Sequence, residues 1–155
     1  MIAIGSDHRG YKLKEEIKKY LNEIGLSYKD FGANSEERVD TLPIVTEVCT
    51  SIQEKECNRG ILICGTGIGM SILGNKVKGI RASLCHNIET AKLTKQHNNA
   101  NILVLAALST SKETAEEIVM AFLEEPFSKK ERHIRRIKKI IDYENNINED
   151  KNGKN

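Results

Sequence analysis

The chain contains no tryptophan, few aromatic residues of any kind and only two prolines. A core built without large rings must be aliphatic, as in layered α/β proteins. The cysteines, Cys49, Cys57, Cys64 and Cys85, show no C-x-x-C spacing, which excludes a redox pair of that kind and a disulfide framework. Nor do they combine with His8, His86, His97 and His133 into ligand-type spacing, so no metal site is expected. Charge of one sign is missing too: the net value of +2 is too small to imply nucleic acid or a membrane surface as partner. No long apolar run and no leader pattern is present, and the expectation is a cytoplasmic protein with free thiols. The serine-nucleophile signature G-x-S-x-G is absent, and so is any internal repeat. At 155 residues the chain is long enough for a single buried core.

What the chain does have is a glycine-spaced turn directly after an apolar run, Gly60-Ile61-Leu62-Ile63-Cys64-Gly65-Thr66-Gly67-Ile68-Gly69-Met70-Ser71. The order is strand, phosphate-style loop, helix start. Backbone N–H groups at such a place have no intrahelical partner and favour anions, including the thiolate form of a cysteine at the loop mouth. The loop lacks the further glycine of the dinucleotide fingerprint and the Lys-Ser/Thr of a P-loop, so the glycines alone name no ligand. Cys64 could equally be a small buried strand residue. Three glycines in succession favour the site, because a structural strand exit does not require them.

Around this loop the spacing predicts short strands at Ile2 to Gly5, Leu26 to Phe31, Gly60 to Cys64, Arg81 to Cys85 and Ile102 to Ala107. Helices are predicted at Tyr11 to Ile24, Leu42 to Cys57, Met70 to Asn75, Ile88 to Gln96 and Lys112 to Leu123. The alternation predicts a five-stranded parallel sheet covered on both faces, a Rossmann-like three-layer α/β/α sandwich with a C-terminal helix. Ligands of such sheets gather at the carboxyl ends of the strands, where Asp7-His8, Cys64-Gly65-Thr66 and the segment before His97 are expected. Residues 1–142 are read as one domain. Ser128 to Tyr143 reads as a basic amphipathic helix, and 143–155 as a polar, disordered tail.

Three further groups could carry chemistry. Asp7 either caps the following helix or faces the ligand crevice, and His8 is placed to touch a phosphate or sugar. His97, among the amides of Gln96-His97-Asn98-Asn99, is a polar turn or a general acid/base with Asn98 orienting hydroxyls. Arg132 and Arg136 share a helix face at i, i+4, which makes either a solvated surface or a phosphate clamp.

The ordered set Gly5-Ser6-Asp7-His8-x-Gly10, Gly60 to Ser71, Asn75-Lys76, Gly79-Ile80-Arg81-Ala82, His97-Asn98 with Asn101, and Arg132-His133 with Arg136 resembles the ribose-5-phosphate isomerase B family of sugar-phosphate isomerases, over nearly all of the chain to about residue 142. The resemblance implies aldose–ketose interconversion of a phosphorylated sugar with no metal or organic cofactor. It also implies a dimer or tetramer with active sites between subunits. It makes Cys64 the base that moves a proton between C1 and C2, with Thr66 relaying it to oxygen. It assigns Asp7 and His97 to sugar ring opening, and Gly65, Gly67, Ile68, Gly69 and Ser71 to the enediolate through their backbone. His8, Arg132 and Arg136 fall near the phosphate. Two positions depart from the pattern. Thr41 stands where relatives carry tyrosine, and Leu108 where they carry arginine, which opens the choice among a pentose phosphate, a hexose 6-phosphate and a non-catalytic sugar-phosphate or nucleotide binder.

Overall fold

The structure is a computed structural model that describes residues 1–152, with side chains through Ile147. Five parallel strands, β1 (Ile2–Ser6), β2 (Tyr28–Asp30), β3 (Arg59–Cys64), β4 (Ala82–Leu84) and β5 (Ile102–Ala106), lie in the order β2-β1-β3-β5-β4. The helices between and after them are α1 (Tyr11–Glu23), α2 (Thr41–Gln53), α3 (Ile68–Gly74), α4 (Ile88–Asn98), α5 (Lys112–Glu124) and α6 (Glu131–Asn152).

Period-two alternation splits the strand side chains between two cores. Ile2, Ile4, Ile61, Ile63, Leu103 and Leu105 face α1 and α5, together with Leu13, Ile17, Leu21, Ile118 and Phe122. Ala3, Leu62, Cys64, Ile102 and Val104 face the other way, against Val45, Val48 and Cys49 of α2 and Met70 of α3. Cys64 therefore points to the α3 side, as the last inward residue of its strand. In register, Ser6 stands beside Ile63, and Cys64 beside Ala106.

α2 starts where the Asp40 carboxylate accepts the Leu42 N–H at 3.1 Å, and Pro43 sits in its first turn. It ends at Gln53, short of the expected Cys57, because Lys55 turns left-handed (φ 62°) and leads into β3. The most deeply buried charge among the described residues is on α1: Lys14 is fully buried, and its ammonium donates to both oxygens of Asp30 at the end of β2 (2.7 and 2.6 Å).

The expected tail does not start at residue 143. α6 continues to Asn152, and 153–155 lie outside the described residues. The extension has a physical anchor: the Glu144 carboxylate accepts the Gly79 N–H with both oxygens (2.9 and 3.0 Å), and Ile140, Tyr143 and Ile147 line a groove with Ile80 and Ala82. Among the described residues no helix is long and apolar enough to cross a membrane.

Candidate active site

The strand order fixes where a ligand crevice opens. From β1 the chain goes to β2 on one side and to β3 on the other, so the connections leave the carboxyl ends of β1 and β3 in opposite directions. A cleft forms at such a reversal. Asp7-His8 follows β1 and Cys64 closes β3, on either side of that point. The Asp7 N–H donates to the Ile63 carbonyl at 3.2 Å, which holds the two strand exits together. Asp7 is buried, and its Oδ1 accepts the N–H groups of Arg9 (2.9 Å) and Gly10 (3.0 Å). It thus caps the turn before α1 rather than the helix itself, which starts at Tyr11. Gly10 is required by contact, since a β-carbon there would collide with the Ile63 carbonyl.

Cys64 is the most accessible of the four free cysteines, 7% exposed against 0% for Cys49 and 1% for Cys57 and Cys85. Its Sγ accepts the Gly67 N–H at 3.1 Å. That bond depends on Gly67 taking φ +74°, a left-handed geometry that folds the loop back over the sulfur. Thr66 is exposed, and its hydroxyl accepts the Ile68 N–H at 3.3 Å. Ile68 and Gly69 are also exposed and Ser71 is half-buried, so the helix-start side of the loop reaches the surface while Gly65 and Gly67 are buried. By contrast, burial pushes the Cys49 thiol up to about 11, the behaviour of an inert core cysteine.

The departures from the family pattern lie on this rim. Thr41 lines a cavity of about 540 Å³ with His8, Arg38, Val39 and Asp40, and the buried His8 Nδ1 has no partner among the described residues. Leu108, exposed, donates its N–H to the Gly65 carbonyl at 2.9 Å. Its side chain and the stem of Arg9 flank Gly65, with carbons 3.3 and 3.1 Å from where a Gly65 β-carbon would lie. Arg9, which the spacing does not single out, packs its stem against the loop beside Leu108.

The remaining predicted residues form a second, separate cluster, which corrects the expectation for His97. His97 and Asn98 occupy the last turn of α4 rather than a loop, and Asn99 (φ 45°) ends the helix. α4 runs back to the start of β5, where the Asn101 carbonyl accepts the Gly60 N–H at 2.8 Å. This is the amino edge of the sheet, four residues or about 13 Å of strand away from Cys64. A helix between parallel strands must end at the opposite edge from the one at which it began, so His97 cannot share the rim with Cys64. What His97 meets instead is α6: its ring lies 4.4 Å from that of His133, tilted by 37°. Arg132 and Arg136 flank His133 on the same helix and line an open basic cleft with Arg135 and Lys139. Neither has a carboxylate partner among the described residues, whereas Arg135 pairs with Glu131 at 2.6 Å.

A doubly wound parallel sheet with a thiol, a carboxylate and an anion-favouring turn gathered at its strand-order reversal defines an α/β enzyme that works at the strand ends. The family model described as Ribose/Galactose Isomerase matches residues 2–140, and the chain belongs to that family of sugar-phosphate isomerases. The crystal structure of a Thermotoga maritima ribose 5-phosphate isomerase superposes with a TM-score of 0.89 at 48% identity, covering 91% of this chain and 97% of that one. Ribose-5-phosphate isomerase B of Escherichia coli is 43% identical over 122 residues, 79% of this chain and 82% of the relative. A D-erythrulose-4-phosphate isomerase of Pectobacterium atrosepticum is 39% identical over 127 residues, 81% of this chain and 84% of the relative.

Proposed function

We propose that this enzyme interconverts ribose 5-phosphate and ribulose 5-phosphate by proton transfer through an enediolate, a step of pentose phosphate metabolism, in the cytoplasm. A proton on carbon next to a carbonyl is only weakly acidic, so the reaction needs a base at carbon and donors at the oxygen that gains charge. Cys64 is the base, and the backbone from Gly65 to Ser71 supplies the donors. A fixed donor of this kind contributes about 3–4 kcal/mol, and a positioned base about a hundredfold to ten-thousandfold. Thr66 relays the proton between oxygens. Asp7, whose Oδ1 is held by two amides, and His97 open the sugar ring. His8, Asn98, Arg132 and Arg136 hold the substrate and its phosphate.

The observation that carries this reading is the Cys64 thiol at the strand-order reversal, under an amide donor at 3.1 Å. The separation of His97, Arg132 and Arg136 from that thiol supports a homo-oligomer, a dimer in its simplest form, in which a second copy places its amino-edge cluster over the Cys64 loop. Exposed Ile68, Ile72 and Leu108 around the loop suit such an approach. A hexose 6-phosphate is the second substrate reading, kept because Thr41 and Leu108 widen the rim and remove a cation.

The test is a panel of pentose and hexose phosphates incubated in deuterated water. Exchange at C1 or C2 with ribose or ribulose 5-phosphate that falls at least a hundredfold in Cys64→Ala is the expected result. Exchange that persists in Cys64→Ala contradicts the assignment of the base, and exchange confined to hexose phosphates replaces the substrate.

A further inference from the structure

His133 is the one histidine of the amino-edge cluster with no assigned role, and the only member of the basic run from Lys129 to Arg136 that is buried (3% exposed). Both of its ring nitrogens are engaged. Nδ1 lies 2.6 Å from the Ser128 hydroxyl, and Nε2 lies 3.3 Å from Nε of Arg132. A guanidinium only donates, so Nε2 must be the acceptor, and the ring is the neutral tautomer with its proton on Nδ1, given to Ser128. The Ser128 end is itself tied to α4: its N–H donates to the Gln96 carbonyl at 3.3 Å, next to His97, and the Gln96 amide donates to Glu125 at 2.6 Å. The charged groups around the ring agree with neutrality. Burial lowers the His133 pKa, and His97 of α4 with Arg132, Arg136 and Lys130 from its own segment lower it further.

We propose that His133 is a positioning residue for His97: its neutral imidazole, clamped by Ser128 and Arg132, braces the His97 ring in contact and keeps a second positive charge away from it. This rests on the isomerase reading and on His97 as the ring-opening acid. In ring opening the anomeric hydroxyl loses its proton as C1=O forms, the C1 to ring-oxygen bond breaks, and an acid protonates the released oxygen. A second cationic imidazole 4.4 Å away would oppose protonation of His97, and a mobile one would let its ring drift. Misplacing a catalytic group by about 1 Å costs on the order of a hundredfold in rate.

Ribulose 5-phosphate separates the steps, because phosphorylation at C5 leaves it no hydroxyl with which to close a five-membered ring. Its C1 proton exchanges with solvent through the enediolate alone, whereas ribose 5-phosphate must first be opened. In the intact enzyme, His133→Asn is expected to lower kcat for ribose 5-phosphate roughly ten- to a hundredfold, while C1 exchange into ribulose 5-phosphate at saturation stays within about twofold. Ser128→Ala, which keeps every ring, is expected to show the same split at smaller size, and His97→Asn the same split at larger size. Equal losses on both substrates in His133→Asn and Ser128→Ala, or no loss in either, would overturn the proposal while leaving Cys64 in place. Equal losses on both substrates in His97→Asn would instead overturn the role of His97, and absence of exchange in the unaltered enzyme would overturn the isomerase reading itself.

Discussion

Gly67 sets the backbone geometry around the Cys64 sulfur in the candidate site. Its left-handed backbone brings its own N–H onto the sulfur, and a β-carbon there would run into Leu84. Gly67→Ala should therefore cost about 1–2 kcal/mol in backbone conformation alone, plus the collision, and lower both the melting temperature and kcat. Gly69→Ala, two residues on in the helix with nothing within 4 Å of the new methyl, should leave the melting temperature unchanged or raise it. Thermal unfolding of the two variants side by side checks the difference, and equal losses would mean that the left-handed geometry of Gly67 is not what the loop depends on. Arg136 belongs to the same scale. A charge-assisted bond is worth about 1.5–3 kcal/mol, so Arg136→Ala should raise KM for the sugar phosphate by about ten- to a hundredfold with little change in kcat. Arg132 is the poorer probe, because its guanidinium also holds His133.

Among the elements, α1 and β2 are joined by a charge that the sequence conceals. Lys14 lies between the apolar residues Leu13 and Ile17 and reads as a solvated position. It is buried because Asp30, on the neighbouring strand, meets it, and no local spacing reports a partner sixteen residues away. Burial pushes the Asp30 carboxyl up, but bonds from Lys14, Lys18 and the Gly32 N–H outweigh it and hold it below the usual carboxylate range. A carboxyl depressed in the folded state adds stability above its unfolded pKa of about 3.9, which is lost as the pH falls through the folded value. Asp30→Asn leaves Lys14 with only Glu15 at 3.4 Å, and should cost about 3 kcal/mol near neutral pH. The cost should shrink as the pH drops below about 4, and urea unfolding across that range measures it. The three central strands β1, β3 and β5, by contrast, are readable in the sequence, since each is a short, largely apolar run buried on both faces, whereas the edge strands β2 and β4 carry Lys29, Asp30 and Ser83 and give a weaker signal. The Cys64 loop, whose glycines stand at consecutive odd positions, is readable too. The edge to which His97 belongs is not, because its amides look alike as a loop or as a last helical turn, and only the strand it precedes decides the edge. The full length of α6 is hidden from the sequence because the residue that holds its far end, Glu144, bonds a backbone amide in the turn before β4, a contact that no spacing within the helix announces.

At the scale of the whole molecule, the fold separates the candidate residues into two clusters on opposite edges of one sheet. The carboxyl edge holds Asp7, His8 and the Cys64 loop, and the amino edge holds His97, Asn98, Arg132 and Arg136. In the homo-oligomer proposed above, two copies in a closed symmetric pair would complete two sites at once, each with the thiol of one protomer and the imidazole of the other. Sedimentation of the active enzyme should accordingly give a dimer or a multiple of it. The most direct measurement mixes two inactive proteins. Cys64→Ala and His97→Asn are each expected to fail in converting ribose 5-phosphate. After dissociation and reassociation in equal amounts, half of the dimers are mixed, and each mixed dimer holds one intact site, so about a quarter of the unaltered activity should return. No recovery, in mixtures shown to have exchanged subunits, would contradict the account of a thiol and an imidazole that meet only across two chains.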